Sequence, residues 1–194
     1  MKRLILPLLA AIALPGIAHG QAATNTATGD VAVGGNVAQL CMLGTPTPAP
    51  VDLGQLATTS GTRVGRIAVI APRTVMLAGS FCNFAGSAIT VTATALVNTD
   101  ATPAPAGFAR AVNYTAAVTN WASGAATATT GATAGGGTPS ASSVGATQGA
   151  PRIADLTVNL SNFTAPSDAL LTAGSYSGLV IVTLGPAPSS GGGL

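Results

Sequence analysis

Alternation of apolar and polar residues, the pattern typical of half-buried β-strands, recurs along this chain. It is clearest at 88–96, where aliphatic residues and alanine alternate with threonine, and it returns at 112–119 and 156–161. The last apolar run, 176–184, has aliphatic side chains at both parities, so we expect a strand that is covered on both faces. Further strands are predicted at 31–41, 51–56 and 67–77, the last interrupted by Pro72.

About seven short strands separated by Gly- and Pro-rich turns predict an all-β fold, an antiparallel β-sandwich. A closed barrel is the alternative. An outer-membrane barrel fits less well, because it needs longer strands and aromatic girdles, and the chain has only four Phe, two Tyr and one Trp.

The two ends of the chain lack the strand pattern. Lys2 and Arg3 precede a short apolar run and a small-residue site, Ala18-His19-Gly20, which predicts a secretory signal peptide at 1–20. The run is shorter than a bilayer-spanning helix, so we expect no membrane span after cleavage; a retained anchor is the alternative. The remaining chain divides into a flexible N-terminal arm at 21–30, a sandwich domain at 31–184 and a flexible tail at 185–194.

Residues 122–151 consist mostly of Ala, Ser, Gly and Thr, with Val144 as the one large aliphatic residue. Such a segment has little to bury against the entropy lost on ordering. The composition predicts a long, exposed low-complexity loop. A recognition loop beside Trp121 is the alternative.

Charge limits the function classes. Without residues 1–20 the chain keeps five Arg and five Asp, so its formal charge is zero, and we expect no nucleic-acid partner. It also keeps no Lys, Glu or His, the side chains that most often act in acid–base catalysis and metal binding. Asp155 and Asp168 remain as the only conceivable catalytic pair, so we expect neither an enzyme nor a cofactor site.

The chain has two cysteines, Cys41 and Cys82. Cysteines of exported proteins usually pair, because the compartment is oxidising, so we predict one disulfide. A reactive thiol or a metal-ligand pair is the alternative, but neither has a His, Lys or third Cys to support it.

Several motifs resemble those of pilin-like subunits of bacterial chaperone-usher fimbriae and of the related spore coat protein U-type secreted proteins. These motifs are an N-terminal arm, GNVAQLC ending in Cys41, VDLG after a spacer, and an apolar strand running to Cys82. The ending AGSYSGLVIVTL is similar to the Gly-x-Tyr final strand of these families. The resemblance covers residues 30–83 and 173–184.

The resemblance implies an immunoglobulin-like sandwich that lacks its last strand, with the disulfide bridging the first two strands. A neighbouring subunit's N-terminal extension would complete the sheet by strand addition. The implied partners are other subunits, a periplasmic chaperone and an outer-membrane usher, and the implied location is the cell surface or beyond, reached through the periplasm. The implied groove residues are Tyr176, Leu179, Val180, Ile181, Val182 and Leu184, and the candidate donor residues are Val31, Val33 and Val37.

Three functions follow from these patterns, in order of preference. The first is an exported structural subunit of a surface fibre or coat. The second is a self-contained secreted binding module, in which Trp121 and the 122–151 loop contact a glycan or a protein. The third is an enzyme that uses paired aspartates.

Overall fold

A computed structural model describes residues 25–26, 28–100, 103–137 and 140–188. The predicted signal peptide, half of the predicted arm and the last six residues of the predicted tail lie outside these ranges. The chain divides into two compact units, one up to Val37 and one from Ala38 onwards. Among the described residues, no helix is long and apolar enough to span a bilayer.

The second unit is built from short strands, as the alternation predicts. The strands are β1 (Cys41–Met42), β2 (Pro46–Thr47), β3 (Arg73–Cys82), β4 (Ser87–Ala93), β5 (Leu96–Asn98), β6 (Phe108–Ala109), β7 (Ala111–Thr119), β8 (Ala126–Thr129), β9 (Ala141–Val144), β10 (Arg152–Thr164), β11 (Leu170–Leu171), β12 (Tyr176–Ser177) and β13 (Val180–Pro186). Two 3₁₀ turns lie at Gly61–Arg63 and Pro166–Asp168.

These strands form two main antiparallel sheets. The larger has the order β1-β3-β10-β7-β5-β12, with β2 also paired to β3 and β8 also paired to β7. The smaller has the order β13-β4-β9. The short β6 and β11 pair in parallel. The predicted all-β, antiparallel sandwich with one disulfide is therefore confirmed.

The core lies between the inner faces of the two sheets. Leu156, Val91, Val112 and Val118 are its largest fully buried aliphatic side chains. Each belongs to β4, β7 or β10, the strands whose alternation is clearest in the sequence, so their existence and their buried face are confirmed.

The prediction of an exposed loop at 122–151 is wrong. Two strands form there: β8 pairs with β7, and β9 pairs with β4. Ala126 and Ala128 are 1% and 2% exposed. The ladders satisfy the main-chain groups, and alternate alanine methyls suffice to fill the space beneath, so large side chains are not needed.

The predicted first strand, 31–41, is also wrong except at its end. Only Cys41 belongs to a strand, and residues 28–40 form no ladder with any described residue. The segment contains Gly34 and Gly35, which lose more backbone entropy on ordering than other residues.

Of two other predicted strands, one is absent and one has different bounds. Residues 51–56 form no strand, and the interrupted strand at 67–77 becomes β3, which starts only after Pro72. A proline lacks the N–H group that a ladder needs, which explains this start.

The last predicted strand, 176–184, is two strands in different sheets. Gly178 lies at the break, where an added Cβ would come within 2.9 Å of the carbonyl oxygens of Thr94 and Ala95. Leu179 and Ile181 are 58% and 50% exposed, so the prediction that both faces are covered is wrong. Only the inner face of β13, with Val180, Val182 and Leu184, is covered, because it packs against the core. β13 also takes in Gly185 and Pro186, which the sequence assigned to the tail.

Candidate functional site

The predicted disulfide joins Cys41 of β1 to Cys82 of β3, with Cα atoms 4.1 Å apart. Beside it, the side chain of Asn83 accepts a hydrogen bond from the Leu40 amide (2.9 Å) and donates one to the Ala38 carbonyl (2.8 Å). Residues 38–42 are thus fixed to the end of β3 by one covalent bond and several hydrogen bonds. We call this segment the arm root.

An apolar cleft of about 400 Å³ opens between the larger sheet and β13. Its floor comes from inward-facing residues of the larger sheet, and one side comes from Val180 and Val182 of β13. The lining consists of aliphatic, proline and aromatic residues and one glycine: Leu43, Pro46, Pro48, Ala49, Pro50, Val51, Leu53, Val75, Leu77, Leu96, Tyr114, Val158, Leu160, Phe163, Gly178, Val180 and Val182. Such a lining accommodates apolar side chains.

The two aromatic residues of the floor are held in place. The rings of Tyr114 and Phe163 stack with centroids 5.9 Å apart, and the Tyr114 hydroxyl donates a hydrogen bond to the Thr94 carbonyl at 2.8 Å. Burial raises the pKa of Tyr114 to about 12, so this hydroxyl stays neutral at physiological pH.

The strand β13 has one unpaired edge. Its partner is β4, and it ends the order of the smaller sheet, so no other described strand pairs with it. The Leu179 carbonyl accepts from the Thr94 amide, and the Ala187 amide donates to the Gly86 carbonyl. Because antiparallel pairs alternate, the odd-numbered residues bond to β4, and the amides and carbonyls of Val180, Val182 and Leu184 point to the free edge.

A Pro-rich stretch covers the cleft. We call residues 48–55, which follow β2, the roof segment. Pro48 and Pro50 are exposed although they line the cleft, whereas Val51 and Leu53 are half-buried and Asp52 between them is exposed. Among the described residues, no hydrogen bond joins this main chain to another segment.

Only two of the six predicted groove residues line the cleft, namely Val180 and Val182. Leu184 is half-buried further along β13, and Leu179 and Ile181 face outward. Tyr176 pairs with β5, and its hydroxyl donates to the Thr172 carbonyl at 2.9 Å.

Tyr176 instead lines a second, more polar cleft of about 660 Å³ on the other side of the roof segment. Asp52, Gln55 and Thr172 lie there, together with Val51 and Leu53, which line both clefts. The roof segment therefore separates two adjoining parts of one surface depression.

The predicted donor residues lie in the first compact unit. Val31, Val33 and Val37 are 85%, 92% and 82% exposed, although their side chains are apolar. They share one parity, so in an extended chain all three side chains would point to the same side.

The residues of the two alternative functions are engaged elsewhere. Trp121 is 3% exposed, so its ring is part of the core and offers no stacking surface. Asp155 accepts a hydrogen bond from the Gly79 amide at 2.8 Å. Asp168 forms ion pairs with Arg63 and Arg66, and the Arg63 side chain is the main cause that lowers the pKa of Asp168. Each aspartate thus has its own structural partner.

Sequence reasoning missed two parts of this site. The part of the floor contributed by Val158, Leu160 and Phe163 depends on which strands face each other, and the alternation does not predict that. The roof had a signal, since prolines at 46, 48 and 50 exclude a central strand.

No protein-family profile, no curated protein and no solved structure matches this chain.

Proposed function

We propose that this chain is an exported structural subunit of a surface fibre or coat, and that it assembles by β-strand addition. The predicted arm together with the candidate donor residues, that is residues 21–37 of one copy, adds to the free edge of β13 in another copy. We call residues 21–37 the arm. Periplasmic chaperone and outer-membrane usher proteins would handle the subunit before assembly, as the resemblance implies.

The observation that carries the proposal is the free edge of β13 beside the apolar cleft. Its outward amides and carbonyls offer hydrogen bonds to an added strand, and the side chains of Val180 and Val182 border the cleft into which that strand's alternate side chains would point. An added strand needs both features, main-chain groups for affinity and pockets for specificity.

The arm supplies what such an edge requires. Val31, Val33 and Val37 are apolar, share one parity and are exposed. The stretch 31–37 has as many residues as β13, so the two can pair along their whole length. Without residues 1–20 the formal charge is zero, which also leaves little repulsion between copies.

The aspartate pair considered for catalysis does not favour an enzyme, because Asp155 and Asp168 each have a separate structural partner. The disulfide fits an oxidising compartment and therefore an exported protein.

The test is light scattering on a sizing column, applied to the chain from Gln21 to Leu194. We expect concentration-dependent oligomers for this chain and monomers for a version lacking residues 21–37. A full-length variant with Val31→Ser, Val33→Ser and Val37→Ser should also be monomeric. A matched control, Val64→Ser with Val69→Ser, removes two exposed valines elsewhere and should leave the oligomers unchanged.

Stable monomers for the unmodified chain at all concentrations would refute strand addition. In that case the secreted binding module becomes the better description, with the polar cleft beside Tyr176 as its candidate surface.

A further inference from the structure

We propose that the roof segment, residues 48–55, occupies the strand-acceptor cleft of each free subunit and must leave before an arm can enter. This inference rests on the proposed function, since it concerns access to the same cleft. The structure thus assigns to the Pro-rich spacer the role of an internal competitor that masks the acceptor.

The roof segment has the side-chain pattern of a strand without being one. Val51 and Leu53 are half-buried toward the cleft, and Asp52 and Gly54 on either side of Leu53 are exposed. This is the alternation with which an added strand would fill the same space. The segment therefore places apolar side chains where those of an arm would go.

The attachment of the roof is weak for its length. Its described main chain makes no hydrogen bond to another segment, and the Gly54 amide bonds only to the nearby Asp52 side chain at 2.8 Å. Pro48 and Pro50 carry no N–H group, so the first part of the roof has few main-chain donors. The roof thus covers the acceptor, but none of its described amides donates to the free edge of β13.

An arm differs from the roof in this one respect. Residues 28–37 contain no proline, so every residue carries an N–H group, and the outward carbonyls of Val180, Val182 and Leu184 can accept from it. An arm gains ladder hydrogen bonds that the roof lacks. Replacement of the roof by an arm should therefore lower the free energy. It should be slow, because Val51 and Leu53 must first detach from the cleft.

The flanks of the roof allow it to move. On one side it is joined to the two-residue strand β2, and on the other it leads to Leu56, whose carbonyl accepts from the Ala68 amide. Displacement can therefore leave both anchors in place, because the segment between them is held by side-chain contacts alone.

The experiment measures how fast a labelled peptide of residues 21–37 binds to the full-length chain carrying Val31→Ser, Val33→Ser and Val37→Ser, which cannot donate its own arm. In this background, Val51→Ser with Leu53→Ser weakens the roof. Because the two half-buried apolar side chains no longer have to be detached, peptide binding should become faster by about tenfold or more. The matched control, Val64→Ser with Val69→Ser, should bind at the unmodified rate.

Each outcome separates the two proposals. Equal rates with an intact and a weakened roof would leave strand addition standing and overturn the role of the roof. Slower or weaker binding to the weakened roof would also overturn it, because Val51 and Leu53 would then be permanent walls of the cleft. Absence of binding in every variant would refute strand addition itself.

A second measurement needs no substitution in the roof, in case that variant does not fold. A protease that cleaves beside aliphatic residues is applied to the arm-silenced chain with and without the peptide. Displacement predicts faster cleavage at Val51 and Leu53 when the peptide is bound. Unchanged or slower cleavage there, with the peptide bound, would contradict displacement.

Discussion

Removal of the disulfide should destabilise the domain strongly. The bond closes a loop with a sequence separation of 41 residues. Cross-linking a loop of this size lowers the entropy of the unfolded chain, which corresponds to about 4 kcal/mol of stability in the chain-entropy treatment. Since small domains are stable by only about 5–15 kcal/mol, Cys41→Ala with Cys82→Ala should leave a marginal protein.

The assay is denaturation in urea, followed by the fluorescence of Trp121. This residue is the one Trp of the chain and is 3% exposed, so its emission reports loss of the core. Reduction of the unmodified protein is the matched control, because it opens the loop but keeps both sulfur atoms. The two losses should agree within about 1 kcal/mol. A loss below about 1 kcal/mol in either sample would refute the entropic argument.

Three further predictions concern the core and the charged groups. Leu156→Ala should cost about 3 kcal/mol of unfolding free energy, because the side chain is fully buried. In a Tyr176→Phe variant, the phenolate absorbance of Tyr114 should appear at higher pH than in the same chain in denaturant, because burial raises the pKa of Tyr114 to about 12. This raised pKa contributes stability that is fully present below the unfolded pKa of about 10 and is lost as the pH rises through about 12. Arg63→Ala should raise the pKa of Asp168, which carboxyl NMR titration would measure. Because the folded-state pKa of Asp168 is depressed, the ion pair stabilises the fold at pH values above the unfolded pKa, and this stabilisation is lost as the pH falls through the folded-state pKa.

The strands that the sequence predicted well share one property: each has a neighbour on both sides. β4 lies between β13 and β9, and β10 lies between β3 and β7. Two neighbours and one covered face impose a strict alternation on the side chains. The stretches 31–40 and 51–53 show the same alternation but have no partner strand among the described residues, because alternation indicates which face is apolar and not whether a neighbouring strand is present.

The missed strands, β8 and β9, show the opposite case. Their residues are small, so side-chain size gave no sign of burial, yet Ala126 and Ala128 are buried. Main-chain hydrogen bonds to β7 and β4 order these two strands, and such pairing cannot be predicted from amino-acid composition.

For the candidate site, the sequence predicted Val180 and Val182 correctly, but the other four predicted groove residues do not line the cleft. The assignment of Tyr176 and Ile181 to the groove assumed one continuous strand. The break at Gly178 is a property of the close approach of two main chains, which a single-sequence pattern does not contain.

In the proposed assembly, the position of the disulfide would allow it to transmit tension from one subunit to the next. A neighbour's arm would pull on β13, and the ladder from Val180 to Pro186 passes that force to β4. β4 is joined through residues 83–86 to Cys82, and the disulfide leads from there to Cys41 and the arm root. Apart from the seven-residue ladder of β13, this force path from the neighbour's arm to the arm root consists of covalent bonds. Without the disulfide, the same force would act on the pairing of β1 with β3, and β1 has only two residues. A link at this point suits a fibre subunit, because the load then enters the larger sheet only at Cys82 and Cys41, at the ends of β3 and β1, and bypasses its other strands and the apolar cleft.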